Sequence, residues 1–325
     1  MKKTILLLVL VAIGITSLAA TKQRTILSHK GVLTQYDANH WQEAIADAVA
    51  GDTVFFTSGN FVGNFTITKP ITLIGAGMAD NDVYWKDSDM AAAYEGCATT
   101  GESTLLEGVT ITIPGSPTLT STMLEGLRLT GISVTDPLNN LSIKRCHIMY
   151  YNDSWKLWYG GFGSSAQLTN LQLESCIVAH IDLTNFVNPD IHNCYILKIE
   201  PSPEEIEFVN CAIMDIWGTS NCTFINSIVH FATGSDNTCI NCIYDDAYPN
   251  QAYFDSWLVG GANTMSKSQL EAGGYIGNDG TVVGPLGGTA PFTLVPSQPY
   301  ISSSNITYNK TTGKLNVNLT VKKGQ

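Results

Sequence analysis

The spacing of apolar residues changes once along this chain. Between Asn39 and Val49, Trp41, Ile45, Ala48 and Val49 share one helical face, which predicts a short amphipathic helix stopped by Gly51. From Thr53 onward the period is two. Thr53 to Thr57, Phe65 to Thr68 and Pro70 to Gly75 alternate as half-buried strands do, and Gly, Asn and Asp punctuate a similar pattern to about residue 245.

The strands also repeat. Leu141-Ser-Ile143-Lys-Arg-Cys146-His-Ile148 aligns with Leu171-Gln-Leu173-Glu-Ser-Cys176-Ile-Val178, and the frame returns around Asn193-Cys194, Asn210-Cys211, Asn226-Ser227 and Asn241-Cys242. Leu127 to Val134 is read as an earlier copy with Gly131 at the bend. Apart from one interval of 30, successive bends lie 14 to 18 residues apart. So short a unit without a helix holds neither a βαβ crossover nor a propeller blade, but it fits one coil of a β-solenoid. Inward columns are then expected, with Leu129, Ile143, Leu173, Ile191, Phe208, Phe224 and Cys239 before the bend. After it come Ile132, Cys146, Cys176, Cys194, Cys211, Ser227 and Cys242. Asn suits the left-handed bend, and stacked amides are expected to bond from rung to rung.

Phe61 to Gly77, preceded by Gly51-Asp52-Thr53-Val54, together with the Asn row, resembles the opening coils of right-handed parallel β-helix proteins of the pectate-lyase-like superfamily. The resemblance covers roughly residues 40 to 245. It implies an all-β, right-handed parallel β-helix with an N-terminal capping helix. Enzymes of that superfamily mostly cleave acidic polysaccharides, either by β-elimination with a calcium-held uronate and an Arg or Lys base, or by hydrolysis with paired Asp residues. The hydrolase signature cannot be placed here, and no Arg follows Arg145.

Residues 1–20, with Lys2 and Lys3 before the apolar run Ile5 to Ile15 and a small-residue stretch after it, read as a secretory signal. The parallel β-helix domain is expected over 21–290, with insertions at 76–103 and 149–167. Residues 291–325 form a tail in which Leu315, Val317, Leu319 and Val321 line one face of a β-hairpin. That stripe is expected to cover the open end or the flank of the coil, or to meet another chain, which would make an oligomer. The reading makes the protein secreted, extracellular, periplasmic or held at the cell surface, with no membrane insertion.

The formal net charge of −11 argues against a nucleic-acid partner, which would require a basic face. Five cysteines in one inward column carry β-carbons about 4.8 Å apart, wider than the roughly 3.8 Å of a disulfide, so the column is read as free thiols.

Two places hold candidate chemistry. His180, Lys198 and Asp215 each fall five residues after a bend, with Asp182 and Glu200 two further on and Asp246 in the last copy. Such a corner could abstract a proton, and Asp182, Glu200 and Asp246 could ligate calcium. A solvated row of ion pairs is the plainer reading and carries more weight. In the insertion, Tyr151, Trp155, Trp158 and Tyr159 could stack on sugar rings, with Trp85 on an opposite wall; filling the coil's flank is the alternative. The expected function is polysaccharide interaction without an identifiable catalytic set or required cofactor. A lyase acting on acidic glycans and an adhesin or structural surface protein are the alternatives.

Overall fold

In the computed structural model, the described residues are 23–78, 104–106, 108–113, 122–148, 150–152, 157–159, 161–200, 205–244, 267–293, 300–309 and 314–322. The protein is all-β and mostly parallel. One long sheet, here sheet A, begins with the antiparallel pair Arg24–His29 and Val32–Asp37. It continues through Thr53–Phe56, Thr72–Ile74, Thr122–Glu125, Leu141–Lys144, Gln172–Glu174, Asp190–His192, Glu207–Val209, Thr223–Ile225 and Thr238–Ile240. Sheet B runs beside it from Gly59–Phe61 through Thr104–Leu106, Arg128–Leu129, His147–Ile148, Ile177–Asp182, Tyr195–Glu200, Ala212–Ser220 and Ile228–Ser235 to Ile243–Tyr244. A branch of Phe65–Ile67, Val109–Ile111, Ile132–Val134 and Phe162–Ser164 joins it at Ile181. Successive repeats therefore place equivalent strands side by side, an arrangement compatible with a β-helix.

The core follows from that register. Leu73, Leu124, Ile143, Leu173, Ile191, Phe208 and Phe224 pair in sequence across sheet A, and each is almost wholly buried. Phe208 and Phe224 stack with centroids 5.3 Å apart. Burying one such side chain contributes about 1.5–3 kcal/mol, so the column is a major source of cohesion between rungs.

Several expectations need correction. Leu124 pairs with Ile143, and Leu129 pairs with Ile148. The earlier copy therefore bends at Gly126, whose φ is 64°, and Leu127, not Ile132, precedes Cys146 in the column. Ile132 pairs with Phe162 instead. Gly126 and Gly131 could each turn a corner on sequence alone, and only Gly126 has the left-handed backbone. The insertion is also shorter than 149–167, because buried Phe162 already belongs to the parallel branch. Residues Tyr150–Asn152 and Leu157–Tyr159 form an antiparallel pair. Cys239 pairs with Phe224 but is exposed, since its strand is the outermost described strand of sheet A.

The N-terminal helix spans Trp41–Asp47 and buries Trp41, Ala44 and Ile45. Trp41 meets Phe56, Phe61 and Phe65 edge-on at 6.1, 6.0 and 5.4 Å. It ends before Gly51 because Ala48 turns extended at ψ 145°, and the Val49 N–H donates to Asp52 Oδ2 at 2.8 Å. Val49 is consequently exposed. Lys69 Nζ donates to the carbonyls of Ala46 and Ala48, satisfying the helix end with a cation.

The Asn row does not bond chiefly to itself. Residues 275–293 lie across it as a strap. Asn193 Nδ2 donates to Pro285 O at 3.0 Å and Gly287 O at 2.8 Å, while Asn226 exchanges bonds with Asn278 at 2.8 and 3.0 Å. Val282, Val283, Leu286 and Phe292 cover Ile177, Tyr195 and Ala212 on the outer face of sheet B. Tyr195 and Phe292 meet edge-on at 5.0 Å.

At the C-terminal end, Tyr300–Asn309 and Lys314–Lys322 pair antiparallel, with Tyr308 opposite Leu315 and Ile306 opposite Val317.

Candidate functional site

The corner residues predicted from spacing fall on adjacent strands. His180 pairs with Lys198 and Lys198 with Asp215, while Asp182 pairs with Glu200. Val178 and Ile181 both enter the core, so the in-out alternation slips at Ala179-His180, where the strand's neighbour on one side changes from His147–Ile148 to Phe162 of the branch. His180 and Lys198 are half-buried. Gly161 packs closely beside them: a β-carbon at that position would stand 3.1 Å from the His180 carbonyl oxygen and 3.3 Å from its Nδ1, so a side chain there would make these neighbours give by a few tenths of an ångström. Asp182 Oδ1 accepts the Thr184 N–H at 3.0 Å, which engages that oxygen in its own turn. The side chains of Asp215 and Glu200 lie outside the described residues, as does Asp246. Among the described residues, no three His, Cys, Asp or Glu side chains group as metal ligands.

Of the aromatic candidates, Trp85 and Trp155 lie outside the described residues. Tyr151 stands opposite Trp158, and Tyr159 opposite Tyr150, in the short antiparallel pair.

A second site was not anticipated. A groove of about 670 Å³ runs over the outer face of sheet A, lined by Met123, Asn140, Leu141, Ser142, Lys144, Asn170, Leu171, Gln172, Asn188 and Asp190. Ser142, Gln172 and Asp190 are consecutive in register, so a hydroxyl, an amide and a carboxylate follow one another across the rungs. Asn140, Asn170 and Asn188 form its wall, each left-handed at φ 62°, 55° and 50°. Here the amides do reach from rung to rung, with Asn170 Nδ2 donating to Asn139 Oδ1 at 2.9 Å. The sequence carries the signal. Asn140, Asn170, Asn188, Glu205, Asn221 and Asp236 all stand five residues before the bends already recognised, and all have positive φ.

The charges beside the groove are internally matched. Lys144 Nζ donates to Glu174 Oε2 at 2.6 Å. Burial pushes the Glu174 carboxyl up, but the hydrogen bond and charge of Lys144 outweigh it and hold the group below its ordinary value. Arg145 reaches back to Glu125 at 3.1 Å, both largely buried. Among the described lining residues, Lys144 is the one cation.

Comparison with protein-family models, curated proteins and solved structures finds no match to this chain. The site is therefore read from its own chemistry. Among the described residues no helix is long and apolar enough to cross a membrane.

Proposed function

We propose that the chain is a secreted right-handed parallel β-helix of the pectate-lyase-like kind that holds a polysaccharide against the outer face of sheet A without cleaving it. The observation that carries this reading is the groove, where Asn140, Asn170 and Asn188 stand beside Ser142, Gln172 and Asp190 on three successive rungs. A linear glycan offers hydroxyls at regular intervals, and side-chain amides, hydroxyls and carboxylates repeated at about 4.8 Å suit it. With Lys144 engaged by Glu174, the groove offers no unopposed cation among its described residues, which favours a neutral glycan over a uronate polymer.

Titration calorimetry against soluble neutral glucans and polygalacturonate tests the reading. Tight binding of a neutral polymer is expected, weakened tenfold or more in a Gln172→Ala/Asp190→Ala variant with unchanged melting temperature. Binding that survives both substitutions would remove the groove from the account.

The alternative, a lyase acting on acidic glycans, is favoured by the register of His180, Lys198 and Asp215. It requires ultraviolet-absorbing unsaturated product from a uronate polymer, lost on Lys198→Ala.

A further inference from the structure

The seven described cysteines are all free, and five of them, Cys146, Cys176, Cys194, Cys211 and Cys222, are buried. Burial pushes the thiols of Cys146 and Cys194 well up, so they stay protonated. Cys239 and Cys242 differ. Their rung is the outermost described one, leaving Cys239 exposed and Cys242 half-buried. The chain turns between them at Asn241, with φ 52°, and both residues belong to the inward columns that flank the bend. The two cysteines therefore flank one bend of a single rung, whereas the buried thiols are spread across rungs.

The surroundings of Cys242 favour its thiolate. The Cys239 thiol donates to its sulfur, and the Ser227 N–H points at it from 3.5 Å. These donors hold Cys242 at about 7 against the burial that raises it, while Cys239 is pushed up. In the thiol form, Cys242 donates to Phe224 O at 3.2 Å, and that bond is given up when the thiolate forms.

We propose that Cys239 and Cys242 form a thiol–disulfide exchange site that reacts with low-molecular-weight disulfides and closes into a disulfide across the Asn241 corner. The Cys242 thiolate attacks one sulfur of the small disulfide, breaking its S–S bond and releasing one thiolate. Cys239 then loses its proton and attacks the Cys242 sulfur of the mixed disulfide, expelling the second thiolate. Two protein thiols become one disulfide, and the small disulfide is reduced to two thiols, so the electrons balance. Buried columns cannot follow, because their β-carbons are separated by the rung spacing and their sulfurs are shut off from a small disulfide.

The test is incubation of the native full chain with glutathione disulfide at neutral pH, followed by acid quench and peptide mass analysis. In the wild type, the peptide spanning Cys239 and Cys242 is expected to lose two hydrogens, with the five buried cysteines unmodified. A Cys239→Ser variant should stop one step earlier, with a single glutathione on Cys242, and a Cys242→Ser variant should react at least tenfold more slowly. An unchanged wild-type peptide, under conditions that oxidise a short unstructured dithiol peptide, would overturn the proposal. So would glutathione retained on wild-type Cys242, or a Cys242→Ser variant as reactive as the wild type. Melting curves of both variants confirm that the native state is the one probed.

Discussion

The backbone N–H of Cys176 points at the sulfur of Cys194 on the next rung, 3.5 Å away. The same link joins Cys146 to Cys176, and from Cys211 it runs to the hydroxyl of Ser227 at 3.1 Å. Each sulfur also donates to the carbonyl two residues before it, as Cys194 does to His192 O at 3.2 Å. The column thus satisfies the backbone at a bend where strand pairing lapses, which goes beyond filling space. Cys194→Ala should leave the Cys176 N–H buried without a partner and cost about 1–3 kcal/mol. Cys194→Ser should cost less, since Ser227 already serves in that column. Urea midpoints of the two variants measure the difference, and equal losses would reduce the column to packing alone.

His147 is buried, and its imidazole is driven down to about 3 by burial and then by the charge of Arg128. The folded protein therefore holds it neutral, while the unfolded chain protonates it near the ordinary value of about 6.5. Its contribution is complete above that value and is lost as pH falls toward 3, at about 1.4 kcal/mol per unit. Melting temperatures taken from pH 7 to 4 should fall less steeply in His147→Gln than in the wild type.

Asn226 combines two roles that substitutions can separate. Glycine keeps its left-handed backbone, at φ 49°, but loses the amide bonds to Asn278. Asn226→Gly should speed hydrogen exchange in residues 276–293 with little change in the Cys211–Ser227 rungs. Asn226→Ala adds backbone strain of about 1–2 kcal/mol and should also lower the melting temperature.

Glu174 holds Lys144 in the groove wall. Replacing it as Glu174→Gln leaves the ammonium unopposed, so affinity for polygalacturonate should rise severalfold and fall away with added salt. Neutral glucan binding should change little. No gain for the acidic polymer would mean that Lys144 does not face the ligand.

The repeat is legible because a left-handed bend favours Asn, and the core position after it is Cys or Ser in most copies, so both recur at one-coil intervals. Where the bend is Gly126, Arg145 or Ser175, the signal weakens, and the frame before Cys146 was misplaced for that reason. Phe162–Ser164 is not legible as a strand, because three residues with Gly163 in the middle are too short to carry a period. The corner column was visible, since equal offsets from a bend become neighbours in parallel register. The groove is harder to read: its Asn row stands at a constant offset, but polar residues on an outer face look like ordinary solvated strand until the register brings Ser142, Gln172 and Asp190 together. The strap is not legible, because Val282, Val283, Leu286 and Phe292 sit in irregular chain without a period and the Asn193 contacts are made by backbone carbonyls.

That strap sets an order of events. The amide of Asn193 finds its partners 92 and 94 residues later, at Pro285 and Gly287. Rungs through Asn226 can pair as each coil is made, but their Asn corner and the apolar outer face of sheet B stay wet until residue 292 arrives. A chain stopped near residue 245 would therefore display Ile177, Tyr195 and Ala212 as an adhesive surface. Completing this molecule is a late, long-range closure, which makes residues 270–293 the guardians of its solubility during folding.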